Sequence, residues 1–430
     1  MILYAREDFM SLHSITHEDV AELLKKIIIA RTQATEEKND ETLTQLAKKQ
    51  AETAEAYLLT DDIEQSRHYF TYSSETLEQI SDLCVKVDFY ERIGKAFTRA
   101  GKFSDASGYF LKAVTAYETV PQDTPERRNE LALLYKFCAS AMLKTRHIDD
   151  AVALLTKRRD MLKNAYKEAV ILSDLLGWAD ALYDLGSAYS HYEAFDAALK
   201  LYDEAISLYN TAERDFKADS RREIANCLIS IGGIYELNKD YQSALEQFEK
   251  ALEINRRLAI RDGDESSLKH LSASCTHTAE LYEMMERLVD ALALFREKAD
   301  VNLRLSKLKP VIEAPEILFL VPSENFAQRL ERLESKLPWY SLLFEMDNPG
   351  HDKLYITYYT MGRFTEELAR KNNRPELYDE SLKLFEASES ILNTLTEEFS
   401  DLKLDAQLRE IKSAVKRIHS YINQKGEFEE

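Results

Sequence analysis

A small residue followed by a set series of rings and alanines returns six times between residues 54 and 279. Few folds accommodate such a repeat. The clearest copy is RIGKAFTRAGKFSDASGYFLKAV, in which Ile93, Gly94 and Phe97 precede Gly101, Phe103, Ala106, Phe110 and Ala113. The spacing predicts two helices joined by a short turn. The first (A) carries a small residue at its middle and an aromatic three positions on. The second (B) carries an alanine–aromatic–alanine ladder. Gly94 and Ala106 mark the crossing of the two helices, where small side chains let the backbones approach and the rings fill the space beside them. Leu185, Gly186, Tyr189, Phe195, Ala198, Tyr202 and Ala205 repeat the pattern, as do Ile231, Gly232, Tyr235, Tyr241, Ala244, Phe248 and Ala251. Weaker copies run through Ala54, Tyr57, Ile63, Ser66 and Phe70, through Ala139, Met142, Ile148, Ala151 and Leu155, and through Ala279, Tyr282, Leu288, Ala291 and Phe295.

The small residues stand at 54, 94, 139, 186, 232 and 279, so successive copies are offset by 40, 45, 47, 46 and 47. This pattern resembles the tetratricopeptide repeat, with a period longer than its usual ~34 residues. The extra length falls after the ladder, in segments such as EINRRLAIRDGDESS, and extends helix B by one or two turns. Long-repeat members of the family, among them Pins/LGN spindle-orientation scaffolds and kinesin light chains, are similar. The resemblance covers roughly 50–300. It implies an all-α, right-handed α-α superhelix (a TPR solenoid) of antiparallel helix pairs, whose concave wall of A helices receives a peptide or helix.

Composition agrees with helices. Only 11 Gly and 8 Pro occur in 430 residues, too few for the turns of an all-β or α/β fold. The net charge of −20 sets the surface against nucleic acid and anionic membranes, although acidity also serves plain solubility. Cys84, Cys138, Cys227 and Cys275 each sit in an apolar helical stretch without a CxxC pair. They read as core residues in a reducing compartment. The N-terminus is charged at Arg6, Glu7 and Asp8, unlike a secretory signal. No run approaches a membrane span, so the expected location is cytoplasmic.

Residues 1–50 read as a helical cap or half repeat, with Val20, Leu23, Leu24, Ile27 and Ile28 as one apolar stripe. The solenoid of about six long repeats spans 51–305. A Pro-rich insertion or linker follows over 306–352, holding Pro310, Pro315, Pro322, Pro338 and Pro349, the run EILFLVP and a short helix over 324–336. EILFLVP either folds back on the groove as a lid or self-ligand, or packs as irregular core, and apolar runs usually bury locally. A degenerate unit with Tyr378, Ser381, Leu382, Phe385 and Ser388 on its B helix, then a capping helix, occupy 353–423. A frayed tail covers 424–430.

No phosphate loop, HExxH, GxSxG or kinase signature is present. His270 and His277 flank Cys275 without metal-ligand spacing. No catalytic set, metal or cofactor is expected. The family's groove positions, counted from the small residue, imply Lys95 and Arg99 in the second unit, and Lys136, Ser140 and Lys144 in the third. They imply Tyr183, Ser187 and His191 in the fourth, Asn226, Gly233 and Glu236 in the fifth, and Thr276, Glu280 and Glu283 in the sixth. These run from basic to acidic and would orient a peptide with an acidic and a basic end, unless several are ordinary exposed helix residues. The Asn pair of the chaperone-type carboxylate clamp is missing. A scaffold or adaptor binding a protein segment is the leading reading. A peptide-sensing regulator of the bacterial type is the first alternative, although residues 1–50 lack a basic recognition helix. An enzyme with its site at 306–352 is the second.

Overall fold

The computed structural model describes residues 17–121, 124–308, 351–371, 374–398 and 405–426, and every regular element among them is a helix. The run EILFLVP, the helix expected over 324–336 and the chain end beyond 426 lie outside the described residues.

Two compact units divide the chain, Met1–Lys217 and Ala218–Glu430. The first opens with α1 (His17–Glu37). Four pairs follow: α2 (Asp40–Leu59) with α3 (Ile63–Glu78), α4 (Leu83–Arg99) with α5 (Phe103–Tyr117), α6 (Pro125–Lys144) with α7 (Ile148–Glu168), and α8 (Leu172–His191) with α9 (Phe195–Phe216). The second holds α10 (Arg221–Leu237) with α11 (Tyr241–Asp262), α12 (Glu265–Met284) with α13 (Leu288–Leu308), α14 (His351–Lys371) with α15 (Glu376–Glu398), and the last helix α16 (Asp405–Gly426). Partners within each pair pack together, as do successive pairs within a unit. Both units are thus all-α stacks of antiparallel helix pairs.

Each pair is set by one contact. A Cβ on Gly94 would stand 2.7 Å from the Phe110 ring, one on Gly186 2.9 Å from Tyr202, and one on Gly232 2.5 Å from Phe248. Only glycine allows the ring to lie on the helix backbone there. Where the small residue is alanine, at 54, 139 and 279, the facing residues are Phe70, Leu155 and Phe295, and all six are buried.

The turns explain why so few glycines suffice. Seven residues past each small residue the backbone turns left-handed, at Asp61, Gly101, Arg146, Glu193, Lys239 and Glu286, with φ between +58° and +68°. The next residue closes helix A through its N–H and opens helix B through its carbonyl. Lys102, for example, donates to Phe97 O at 2.8 Å and accepts from Ala106 N at 3.0 Å. Asp240 does the same between Tyr235 O (2.9 Å) and Ala244 N (3.0 Å). These bonds satisfy the helix ends, so five of the six turns hold without glycine at the left-handed position.

Helix B is long in α7, α9, α11 and α13, at 21 or 22 residues, as the period predicts. It is short in α5, at 15 residues. There the extra length lies in the connection to α6 and in the earlier start of α6.

A seventh hairpin joins α14 to α15. A Cβ on Gly362 would meet the Phe385 ring at 3.0 Å. Ser381 Oγ donates to Gly362 O, and Ser388 Oγ to Tyr355 O, both at 2.8 Å. The polar chain Ser272 Oγ to Asn302 Oδ1 (2.9 Å) and Asn302 Nδ2 to Thr357 Oγ1 (3.3 Å) docks α14 on α12 and α13.

Two expectations change. In α1 the buried stripe is Val20, Ile27, Ala30 and Ala34, whereas Ile28 is 66% exposed, because among the described helices α1 packs chiefly on α2 and buries a narrow face against it. Cys84 is exposed at the start of α4, while Cys138, Cys227 and Cys275 are buried.

Lys239 adopts the left-handed backbone at φ 61°, a conformation that is costly for a residue bearing a Cβ. Lys239→Gly should therefore raise stability by ~0.5 kcal/mol once the greater freedom of glycine in the unfolded chain is deducted. Urea denaturation reads this as a higher midpoint at unchanged slope. A lower midpoint would contradict the strain assignment.

Candidate partner-binding face

Each A helix packs its B helix on one side, and the face turned away from it, the inner face of the expected solenoid, carries the groove positions expected from the repeat. In the first unit this face is laced from helix to helix. Arg92 of α4 makes a two-pronged ion pair with Glu55 of α2, both contacts at 2.8 Å. Lys95 pairs with Glu91 on its own helix, and its ammonium lies 5.1 Å from the Phe137 ring centre on α6. Lys136 of α6 reaches Asp184 of α8 at 3.1 Å. Asp184 also receives Arg158 of α7.

Arg158 departs from the repeat in a way the sequence reading missed. Nineteen residues beyond the small residue, the ladder carries Ser73, Ala113, Ala205 and Ala251 in other pairs, but Arg158 in α7 and Lys298 in α13. Both cations are buried, at 3% and 8% exposure. A buried cation requires a partner, and for Arg158 that partner is a carboxylate on the inner face. The break in the ladder was visible as two copies that stop at Leu155 and Phe295.

Aromatic side chains line the same face. Phe137 stacks on Phe110 at 5.7 Å, and Tyr183 packs on Tyr202 at 5.5 Å. Ser187 shares a hydrogen bond with the Tyr202 hydroxyl at 3.1 Å, so Tyr183 and Ser187 are half-committed to packing. Arg99, Ser140, Lys144 and His191 are exposed, and Leu133 is 48% exposed. Tyr209 donates to Asp180 Oδ1 at 2.5 Å. Burial raises the Asp180 carboxyl, with Tyr209, Arg158 and Lys136 pulling the other way. Asp88 is exposed, and partial desolvation together with the nearby Glu91 and Glu130 raises its carboxyl.

In the second unit Asn226, Glu236, Thr276 and Glu280 are half-buried and Glu283 is buried. A Cβ on Gly233 would have nothing within 4 Å, so α10 has a notch there. His277 of α12 lies flat on Phe248 at 5.7 Å. His277 is solvent-exposed, yet desolvation by the atoms packed around it lowers its pKa. Glu236 opposes that shift and Lys298 adds to it. Phe137, Asp184 and His277 all stand two residues before the small residue, a row the family's groove positions leave out. This row turns toward the neighbouring pair, as the Arg92–Glu55 link demonstrates.

The described residues hold no group of three or more His, Cys, Asp or Glu suited to a metal ion. His270 instead contacts Ser266 O through Nδ1 at 2.7 Å. No helix among them is long and apolar enough to cross a membrane.

A tetratricopeptide-repeat family model matches residues 179–257. No curated protein matches the chain in sequence. Among solved structures, BtubC (BKLC) from P. vanneervenii is 16% identical over 72% of this chain and 100% of its own, with a TM-score of 0.40. The Rap conjugation gene regulator of plasmid pLS20, in complex with the Phr* peptide, is 14% identical over 93% and 96%, with a TM-score of 0.42. Aspartyl phosphate phosphatase F from Bacillus subtilis is 13% identical over 70% and 78%, with a TM-score of 0.40. These likenesses are too loose to carry an argument about partners.

Crowding that disfavours the charged imidazole places the His277 midpoint below the ordinary 6.5 of histidine. The fold then favours the neutral ring. Its contribution is whole above pH 6.5 and is lost as the pH falls through 6.5 toward the folded value. An NMR titration of the His277 ring protons checks this, and a midpoint at or above 6.5 would contradict it.

Proposed function

Because this chain is a tetratricopeptide-repeat protein, we propose that it acts as a protein-interaction scaffold or adaptor, holding a peptide or helix of a partner against the inner face of its A helices. The observation that carries this reading is the first unit's inner face. Phe137, Tyr183 and Leu133 are apolar side chains left partly exposed on its A helices, and Arg99, Lys144 and His191 are exposed on the same helices. Rigid apolar anchors ringed by polar groups are what a protein interface uses. The lateral links hold these side chains on packed helices rather than on loops, which favours recognition of one preformed shape.

The charge pattern refines the partner. Lys95 and Lys136 are engaged by Glu91 and Asp184, so the early positions are less basic than their sequence suggests. In the second unit Glu236 and Glu280 suit a basic segment. The net charge of −20 weighs against nucleic acid as the partner. Four free thiols support a cytoplasmic setting.

Side chains added to the inner face should block capture while leaving the fold alone. Gly233→Arg enters open space, and Ser140→Arg replaces an exposed residue. Lys200→Glu, on the exposed side of α9, is the control. Pull-down with mass spectrometry should lose partners with one or both inner-face variants and keep them with the control. Equal capture by all three would refute the inner face as the site.

A further inference from the structure

Four aromatic rings meet at the first helix pair, three of them on the B helix α3. Tyr57 of α2 stacks on Tyr69 at 5.6 Å, Tyr69 meets Tyr72 edge-on at 6.0 Å, and Tyr72 meets His68 at 4.3 Å. The three tyrosines are half-buried and His68 is exposed. None of the three hydroxyls bonds another described residue. Elsewhere in the chain tyrosines reach carboxylates, as Tyr90 does Glu78 at 2.6 Å and Tyr135 does Glu118 at 2.7 Å.

One pair further on, the same ladder positions are tied down. Tyr109 and Lys112 of α5 stand where α3 has Tyr69 and Tyr72. Tyr109 packs on Phe70 of α3 at 6.4 Å, and Lys112 Nζ donates to Ser74 Oγ of α3 at 2.8 Å. Helix α1 precedes the first pair as α3 precedes the second, but it contains no Phe, Tyr or Trp. It brings Arg31 near the Tyr69 hydroxyl instead. Partial burial raises that hydroxyl, Tyr57 and Tyr72 add to the rise, and Arg31 pulls the other way. The group therefore stays a hydrogen-bond donor at neutral pH. Ile28, three residues before Arg31 and on the same face of α1, is 66% exposed.

We propose that this strip docks a proline-rich segment in the polyproline II conformation, with a basic residue at either end of the prolines. The site is separate from the inner face, and neither proposal depends on the other. A polyproline II segment makes no internal hydrogen bonds and proline has no N–H, so the segment offers free carbonyls and apolar rings. The strip offers the complement, aromatic faces edged by hydroxyl and guanidinium donors. Aromatic-lined surfaces of this kind suit a preformed polyproline II chain. Charge sets the ends. Glu64, His68, Tyr72 and Glu75 recur at three- or four-residue spacing and form one stripe of α3. Glu64 and Glu75 are exposed and pair with no described residue. Their separation along the helix is about 16 Å at ~1.5 Å per residue, which polyproline II covers in about five residues at ~3.1 Å each. Two basic residues flanking four prolines therefore reach both carboxylates. A helical segment fits less well, because its carbonyls are already bonded. Single-stranded nucleic acid also stacks on rings, but the two carboxylates repel its phosphates.

Fluorescence anisotropy with the labelled hexapeptide Arg-Pro-Pro-Pro-Pro-Arg and the full chain tests this. Saturable binding is expected, and it should be at least about tenfold weaker for the hexapeptide with Glu at both ends. Y57F/Y69F/Y72F keeps the rings and removes three donors, and should also bind at least about tenfold more weakly. H68A/Y72A, which removes one end of the strip, should weaken binding as much. Circular dichroism confirms that both variants keep their helices. Ser140→Arg, on the inner face, should leave hexapeptide binding unchanged. Absence of saturable binding, equal affinity for the Glu-ended peptide, undiminished binding by either strip variant, or loss of binding with Ser140→Arg overturns the proposal. So does a dimer in sedimentation velocity that H68A/Y72A converts to monomer, because the strip would then join two copies of the chain. Partner capture by the inner face is read separately, in the pull-down with Gly233→Arg.

Discussion

A ring laid on the backbone of the facing helix is the contact on which both units depend. Phe110, Tyr202, Phe248 and Phe385 each lie where a single added Cβ would stand 2.5 to 3.0 Å away. That closeness sets the approach of the two helices, and the turn then has one geometry available. The left-handed residue and the shared N–H and carbonyl of its successor follow from a tight pair, and they satisfy the helix ends without spare turn residues.

With the B helix fixed on one side, the opposite face of each A helix is left to other work. Much of that face in the first unit is occupied by links to neighbouring helices, namely Arg92 to Glu55, Lys95 over Phe137, and Lys136 to Asp184. These links stiffen the stack and neutralise charge. The residues left exposed are a small set at defined rows. Arg158 extends the same logic from behind. A ladder position that usually holds a small residue sends a buried guanidinium forward to Asp184, which removes one inner-face carboxylate from service.

The repeat, its long period and its helix pairs were legible because a small residue and a ring at constant separation leave a periodic trace. The offset is 16 residues from Gly94 to Phe110, from Gly186 to Tyr202 and from Gly232 to Phe248. The unit expected over 353–423 reads as degenerate because Gly362 and Phe385 are 23 apart. Helix α14 runs a turn further past its glycine than α4 or α8, and the register slips although the contact is the same. The electrostatics of the A helices were not legible, because sequence counting assigns Lys95 and Lys136 a charge without revealing Glu91 and Asp184 beside them. Nor could the single row two residues before the small residue be read, since its role depends on the neighbouring pair. Ile28 misled for a related reason: among the described helices α1 packs chiefly on α2, and Ile28 lies off that face.

Helix pairs fixed by ring contacts and A helices braced by lateral ion pairs support the proposal that another polypeptide docks on their inner face. The most direct measurement is lysine footprinting by reductive methylation, with and without a captured partner. Lys144, exposed on the inner face, should lose reactivity on binding, while Lys200 and Lys250 on B helices keep theirs. Protection of Lys200 or Lys250 with Lys144 still reactive would contradict the inner face as the site of recognition.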